Sequence, residues 1–217
     1  MPIAGKGMLI TAMDVDPAEE ADFNLWYDRE HLAERVAIEG FNEARRWIAE
    51  SAAPKYFCTY STAGFEVLSS PAYAKALASQ TEWSRHHIAR FRNMQRAIGR
   101  ITESRGKGRG AALAVVRLRP PSDQRDEMRR RLQLEMDPGK LAGVISMHLI
   151  ESDPALSRSL TDPAASNPGA ADWFLLLEGT NPESVAMLAN SRFGDSVFPV
   201  VSSGTYRLMW DLCRADL

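Results

Sequence analysis

Three punctuating residues recur at one spacing, and that spacing limits what the chain can fold into more than any other feature. Gly7, Pro17 and Gly40 are matched by Gly110, Pro120 and Gly143, each 103 residues further on. Gly7-Met8-Leu9-Ile10-Thr11-Ala12-Met13 and Gly110-Ala111-Ala112-Leu113-Ala114-Val115-Val116 both open as apolar strands. Glycine and proline mark backbone conformations rather than chemistry, so their joint repetition points to one unit used twice even where the residues between them differ.

Each half reads in the same order. A strand leads to a proline-started helix, over about Pro17–Ala37 in one half and Pro121–Met136 in the other, because proline suits a first helical turn that needs no N–H. A glycine turn gives second strands near 41–49 and 144–151, and third strands follow at Lys55–Tyr60 and Asp172–Glu178. Ser70-Pro71 and Asn181-Pro182 open further helices, to Ala78 and Ala189, and last strands lie near 94–103 and 203–212. The order β-α-β-β-α-β, twice, predicts an α+β chain of two tandem ferredoxin-like repeats that pair into a pseudo-dimeric α/β barrel. The repeats are expected at 1–105 and 111–217, the second degenerate, with a glycine-rich linker at 106–110. Two insertions distinguish them: Thr81–Asn93 in the first half, and Ser152–Ala171, rich in Pro, Ala and Ser, in the second.

A four-stranded sheet with helices on one face must bury the other, and a second copy can do so. Alternation along the second strands places Ile145, Met147 and Leu149 under the helices. It aims Val144, Ser146 and His148, with their counterparts Phe41, Glu43 and Arg45, between the sheets. That inter-sheet space is where a cavity is expected.

Composition narrows the partners. A net charge of -2 and a pI near 6.1 give no electrostatic reason to bind nucleic acid. No apolar run approaches the ~18 residues of a membrane span and no signal peptide is visible, so a cytoplasmic protein is expected. Cys58 and Cys213 stand alone, without CxxC or metal-ligand spacing, which predicts two free thiols and no metal. The chain lacks GxxxxGK[ST], GxGxxG, HExxH and GxSxG.

The chemistry-bearing candidates cluster in the first half. Tyr27 and His31 are four residues apart on the first helix and share a face, with Trp26 and Glu30 as a second such pair. A face of Leu25, Leu32 and Val36 towards the sheet would leave Tyr27 and His31 at its border. His31 is then expected as proton carrier and Tyr27 as orienting or oxyanion-stabilising donor; plain packing and a hydrogen bond to a loop is the alternative. The 103-residue offset turns this pair into Arg130 and Leu134, so the second half has no equivalent pair. Arg45 is a candidate anion anchor or a partner in a salt bridge across the sheet. Tyr56 and Tyr60 share a strand face and are read as pocket-lining or core. Trp83, His86 and His87 in the insertion form a candidate lid. Neighbouring histidines on a helix diverge by roughly 100°, which argues against one metal between His86 and His87. His148 is the second-half group to watch, as pocket residue or satisfied interior histidine.

Trp26-Tyr27-x-x-Glu30-His31-Leu32, followed by Gly40-Phe41 and a Pro54-x-Tyr56 strand, resembles the EthD-like branch of the dimeric α/β-barrel proteins. The resemblance covers most of residues 8–103 and, more faintly, 111–212. It implies a ferredoxin-like pair with a ligand cavity, and activities that range over cofactor-free oxygenases, isomerases, cyclases and lyases, with haem-binding proteins as an outlying branch. It places His31 at the position proposed as acid/base. The expectation is a cofactor-independent lyase or decarboxylase, or an isomerase or cyclase, acting on a small aromatic or polyketide-like molecule. A non-catalytic carrier and a haem protein are the alternatives. Because the duplication covers the sheet used for pairing, a monomer or a homodimer is expected.

Overall fold

The computed structural model describes residues 3–158 and 169–217. The first half supplies strands β1 (Gly7–Asp14), β2 (Phe41–Ser51), β3 (Tyr56–Thr62) and β4 (Arg92–Gly106). The second supplies β5 (Ala112–Leu118), β6 (Val144–Ser152), β7 (Trp173–Gly179) and β8 (Val200–Cys213). The eight close one antiparallel barrel in the order β1-β3-β2-β8-β5-β7-β6-β4. Each half keeps the ferredoxin-like strand order, and the seams β2–β8 and β4–β6 join the halves edge to edge. The repeats thus bury each other's open faces and also remove each other's free edges. The molecule is the pseudo-dimeric α/β barrel that the repeated punctuation predicts.

The repetition is legible in the backbone. Gly40 (φ +86°) and Gly143 (φ +88°) both take a left-handed conformation in the turn before β2 and β6. Each is followed by a register irregularity, between Phe41 and Glu43 and between Val144 and Ser146. These irregularities correct the expected inward stripe. Phe41 and Val144 pack beneath the helices, whereas Glu43, Arg45, Ser146 and His148 do face inward, because a bulge resets strict alternation.

The helices lie outside the barrel. In the first half they are α1 (Glu20–Trp26), a π-helical turn (Tyr27–His31), α2 (Leu32–Val36), α3 (Pro71–Ala78) and α4 (Glu82–Ile88); in the second, α5 (Arg125–Glu135) and α6 (Pro182–Phe193). Ser70 accepts a hydrogen bond from the Tyr73 N–H and Asn181 from those of Glu183 and Ser184, the caps expected from their sequence. The insertion at 81–93 forms α4, and half of the Pro/Ala/Ser-rich insertion, residues 159–168, lies outside the described residues. At 106–110, Gly106 ends β4, while Arg109 is ion-paired to Glu43 and the Gly110 N–H donates to Glu178. No described helix is long and apolar enough to cross a membrane.

Three apolar clusters result, one under each helical layer and one inside the barrel. The inner cluster corrects the expectation of an inter-sheet cavity. Trp47, Phe57, Ile150, Phe174 and Tyr206 fill the interior from both halves, and the pocket at one end measures about 30 Å³.

Candidate active site

The larger apolar cavity lies on the outer face of the first half's sheet, under the helices. It measures about 90 Å³ and is lined by β1 (Leu9, Thr11, Met13), the helical row Tyr27-His31-Arg35, Tyr60 of β3, and side chains from α3 through the start of β4. Met94, exposed, marks its mouth. Tyr27, His31 and Arg35 are successive fourth residues. The π-helical turn spans the first two, with the Leu32 N–H bonded to the Tyr27 carbonyl. Such turns widen a helix locally and concentrate at functional positions. Here the turn also rotates the helix, so that Phe23, Trp26, Leu32 and Val36 are buried while Leu25 is 47% exposed, against the expected inward face. Tyr27 is fully buried rather than at a border.

The His31 ring lies tilted against the indole of Trp26, their centroids 4.2 Å apart, and the rings of Tyr27 (4.9 Å) and His87 (5.1 Å) also pack on that indole. Trp26 Nε1 donates to Glu30 and to Ser84, which fixes the indole. Dense protein around His31, together with the positive fields of Arg35 and Arg46, holds its pKa well below the usual histidine value, so the imidazole is neutral near pH 7. Burial does the opposite to the hydroxyls and the thiol. Tyr27 and Tyr60 are pushed well above the ordinary phenol range, and Cys58 up from its thiol value, so all three stay protonated. Cys58 is therefore no nucleophile.

Buried polar atoms converge on this cavity: His31 Nδ1 and Arg35 Nε have no hydrogen-bond partner, and the Thr11 and Tyr60 hydroxyls meet only the Cys58 thiol and, for Tyr60, the Tyr27 hydroxyl. Buried polar groups are ordinarily satisfied, and several poorly satisfied ones around one space describe a site for a polar guest. Sequence reasoning passed over Arg35 and Thr11. Arg35 had a usable signal, as the next step of the Tyr27–His31 row. Thr11 had none, since its direction depends on the β1 register.

The remaining candidates do not line this cavity. Tyr56 bonds to Asn24 and Glu20. Trp83 donates to Asp22 and His87 lies 3.0 Å from the same carboxylate, and it is Ile88 and Phe91 of the same insertion that line the cavity. One ligand atom each of Glu19, His86 and His87 falls within 4.8 Å of the others, closer than helical divergence implies. Arg90 already lies 3.2 Å from Glu19 and donates to His86, so a guanidinium balances that group. Arg45 forms the salt bridge, 2.6 Å from Glu178, and also donates to the Gly110 carbonyl. His148 sits beside it, within hydrogen-bond reach of Ser104 (2.9 Å) and Ser146 (3.3 Å). Burial and then Arg45 push its pKa down to about 3, which makes it a neutral interior histidine.

The offset comparison of the halves also needs correction. Arg130 and Leu134 are exposed, Leu134 by 82%, and the inward row of α5 is Met128, Leu132 and Met136. The inward row of the second half carries no titratable group, although Arg129 beside it pairs with Glu151 of β6 at 2.6 Å.

No family model matches the sequence, and no curated protein does. Among solved structures, the chain superposes with a TM-score of 0.69 on an anthrone oxidase-like protein, at 9% identity over 99% of this chain and 96% of that one. A provisionally described monooxygenase from Fusobacterium nucleatum gives 0.61 at 9% identity, covering 97% and 95%. The encapsulated DyP-type peroxidase from Mycobacterium smegmatis gives 0.57 at 8% identity, covering 94% and 92%. The shared feature is the fold, a closed α/β barrel of two ferredoxin-like halves carried in one chain.

Proposed function

We propose that this protein is a cofactor-independent enzyme that removes a proton from a small, largely apolar, aromatic or polyketide-like molecule. The observation that carries the reading is the neutral His31 imidazole with an unpartnered Nδ1, facing a mostly apolar cavity beside two protonated tyrosines. His31 acts as general base, while the Tyr27 and Tyr60 hydroxyls are placed to donate to charge that develops on the substrate oxygen. The EthD-like resemblance of the Trp26–Leu32 motif supports the same assignment of His31. A carbanion or enolate formed this way isomerises the substrate when another carbon takes the proton back, or cyclises it by attack on a carbonyl of the same molecule.

A second fate has its own support, because the anthrone oxidase-like and monooxygenase neighbours are named for oxidation. There the carbanion reacts with molecular oxygen, a CH2 group and O2 giving a C=O group and water. A haem reading does not fit: a cavity of about 90 Å³, open at the mouth beside Met94, takes one end of a small ring compound and is far too narrow for a porphyrin.

Proton removal is testable before the reaction is known. Single-ring phenols and cyclic 1,3-dicarbonyl compounds are incubated with protein in D2O, and loss of C–H signal is followed by NMR with oxygen uptake in parallel. Wild type should accelerate exchange for some of them, and His31→Gln should lose about 10²–10⁴ of that rate. Ligands that bind while exchanging no faster than in buffer would make this a carrier.

A further inference from the structure

The charge inventory of the cavity is one-sided. Its lining contains two guanidiniums, Arg35 and Arg96, and no carboxylate. Arg96 is satisfied by neutral acceptors, the carbonyls of Leu156 and Arg158 and the Tyr73 hydroxyl. Arg35 is not satisfied. It is 6% exposed, its Nε has no partner, and among the described residues its one counter-charge is Glu34, at 3.9 Å and beyond hydrogen-bond range. An ionised group this deep is held in protein only where something compensates it. Arginine is always charged and offers a planar fork of donors, which suits the two lone pairs of an oxyanion.

We infer that the cavity takes its ligand as an oxyanion, a phenolate, enolate or carboxylate on a small conjugated ring, with Arg35 as the counter-charge. This rests on the reading of the same cavity as the substrate site. Thr11 and Tyr60, whose hydroxyls otherwise meet only the weak Cys58 thiol and the Tyr27 hydroxyl, supply further donors to the anion. The arrangement also couples binding to chemistry. Arg35 is one of the fields that weaken His31 as a base, and an anion on Arg35 cancels it, so the imidazole gains basicity when the ligand is in place.

Binding alone tests this, using 4-nitrophenol, whose ionised form has its own visible band, with benzoate and uncharged nitrobenzene beside it. Wild type should bind nitrophenolate or benzoate at least tenfold tighter than nitrobenzene. A preference for one anion over the other identifies the headgroup as phenolate or carboxylate. Arg35→Met should lose at least tenfold for the anion and nothing for nitrobenzene, with Arg35→Lys retaining part of the preference and thermal melting confirming that each variant folds. Equal affinity for charged and uncharged rings, or an equal loss of both in Arg35→Met, overturns the inference. Such a result together with intact His31-dependent exchange would leave the enzyme reading standing. Anion binding without exchange would do the reverse.

Discussion

The two helix–sheet layers of this barrel share a topology and differ in what fills them. Under α5 and α6 the inward row Met128, Leu132, Met136 meets Trp173, Leu175 and Leu177 in a wholly apolar core. Under α1 and α2 the corresponding row is Tyr27, His31, Arg35, facing Thr11 and Tyr60 around a cavity. The packed copy also leaves an unpaired donor, the Trp173 indole N–H, but the other gathers its unpaired groups and a charge around a cavity. Unfavourable groups gathered at one place, in a fold that demonstrably can do without them, are the signature of a site maintained for a guest.

The largest effect should come from damaging the packed copy. Leu132→Ala should cost about 2–5 kcal/mol in urea unfolding, because the surrounding core collapses only partly around the loss. His31→Leu, in the other copy's row, should change stability by less than about 1 kcal/mol or raise it. Equal losses would erase the distinction between the two layers.

Acid comes next. His148 and His31 are both held below the unfolded histidine value of 6.5, so the unfolded chain binds more protons as the pH falls. Their contribution is intact above pH 6.5. For His148 it is lost towards pH 3, at about 1.4 kcal/mol per pH unit. His148→Gln should flatten the decline of stability between pH 6.5 and 4. A variant as acid-sensitive as wild type would mean that the interior histidine is already charged.

Smaller gains should follow from relieving the unsatisfied groups. Arg35→Met should raise the unfolding free energy by on the order of 1 kcal/mol, as the removal of an inadequately paired buried charge tends to do. Tyr60→Phe, which deletes one poorly satisfied hydroxyl, should be neutral or stabilising by up to about 1 kcal/mol. A loss in both would mean that these side chains already have partners in solution and that the first half is packed as completely as the second.

The punctuation at Gly7, Pro17 and Gly40 and their repeats made the architecture legible, since such residues constrain the backbone directly and independently of partners. The motif around Tyr27 and His31 was legible because helical spacing is local. Arg35 lay in the same row and was readable in principle. Which face of the sheet carries the cavity was not readable. Two bulges decide where Phe41 and Val144 point, and the interior is closed by Trp47, Phe57 and Phe174 meeting from different strands. The offset that aligned the strands failed on the helices, whose inward rows Tyr27-His31-Arg35 and Met128-Leu132-Met136 lie 101 residues apart instead of 103.

By itself, then, the sequence determined the duplication, the order of elements and the one helix with chemistry on it, all properties of local backbone preference and short periodicity. Only the tertiary structure decided that Arg45 and His148 belong to a buried structural network, and that Thr11 and Tyr60 meet His31 and Arg35. Those outcomes depend on strand register and on side chains far apart in the chain, where a shift of one residue reverses which face each side chain occupies.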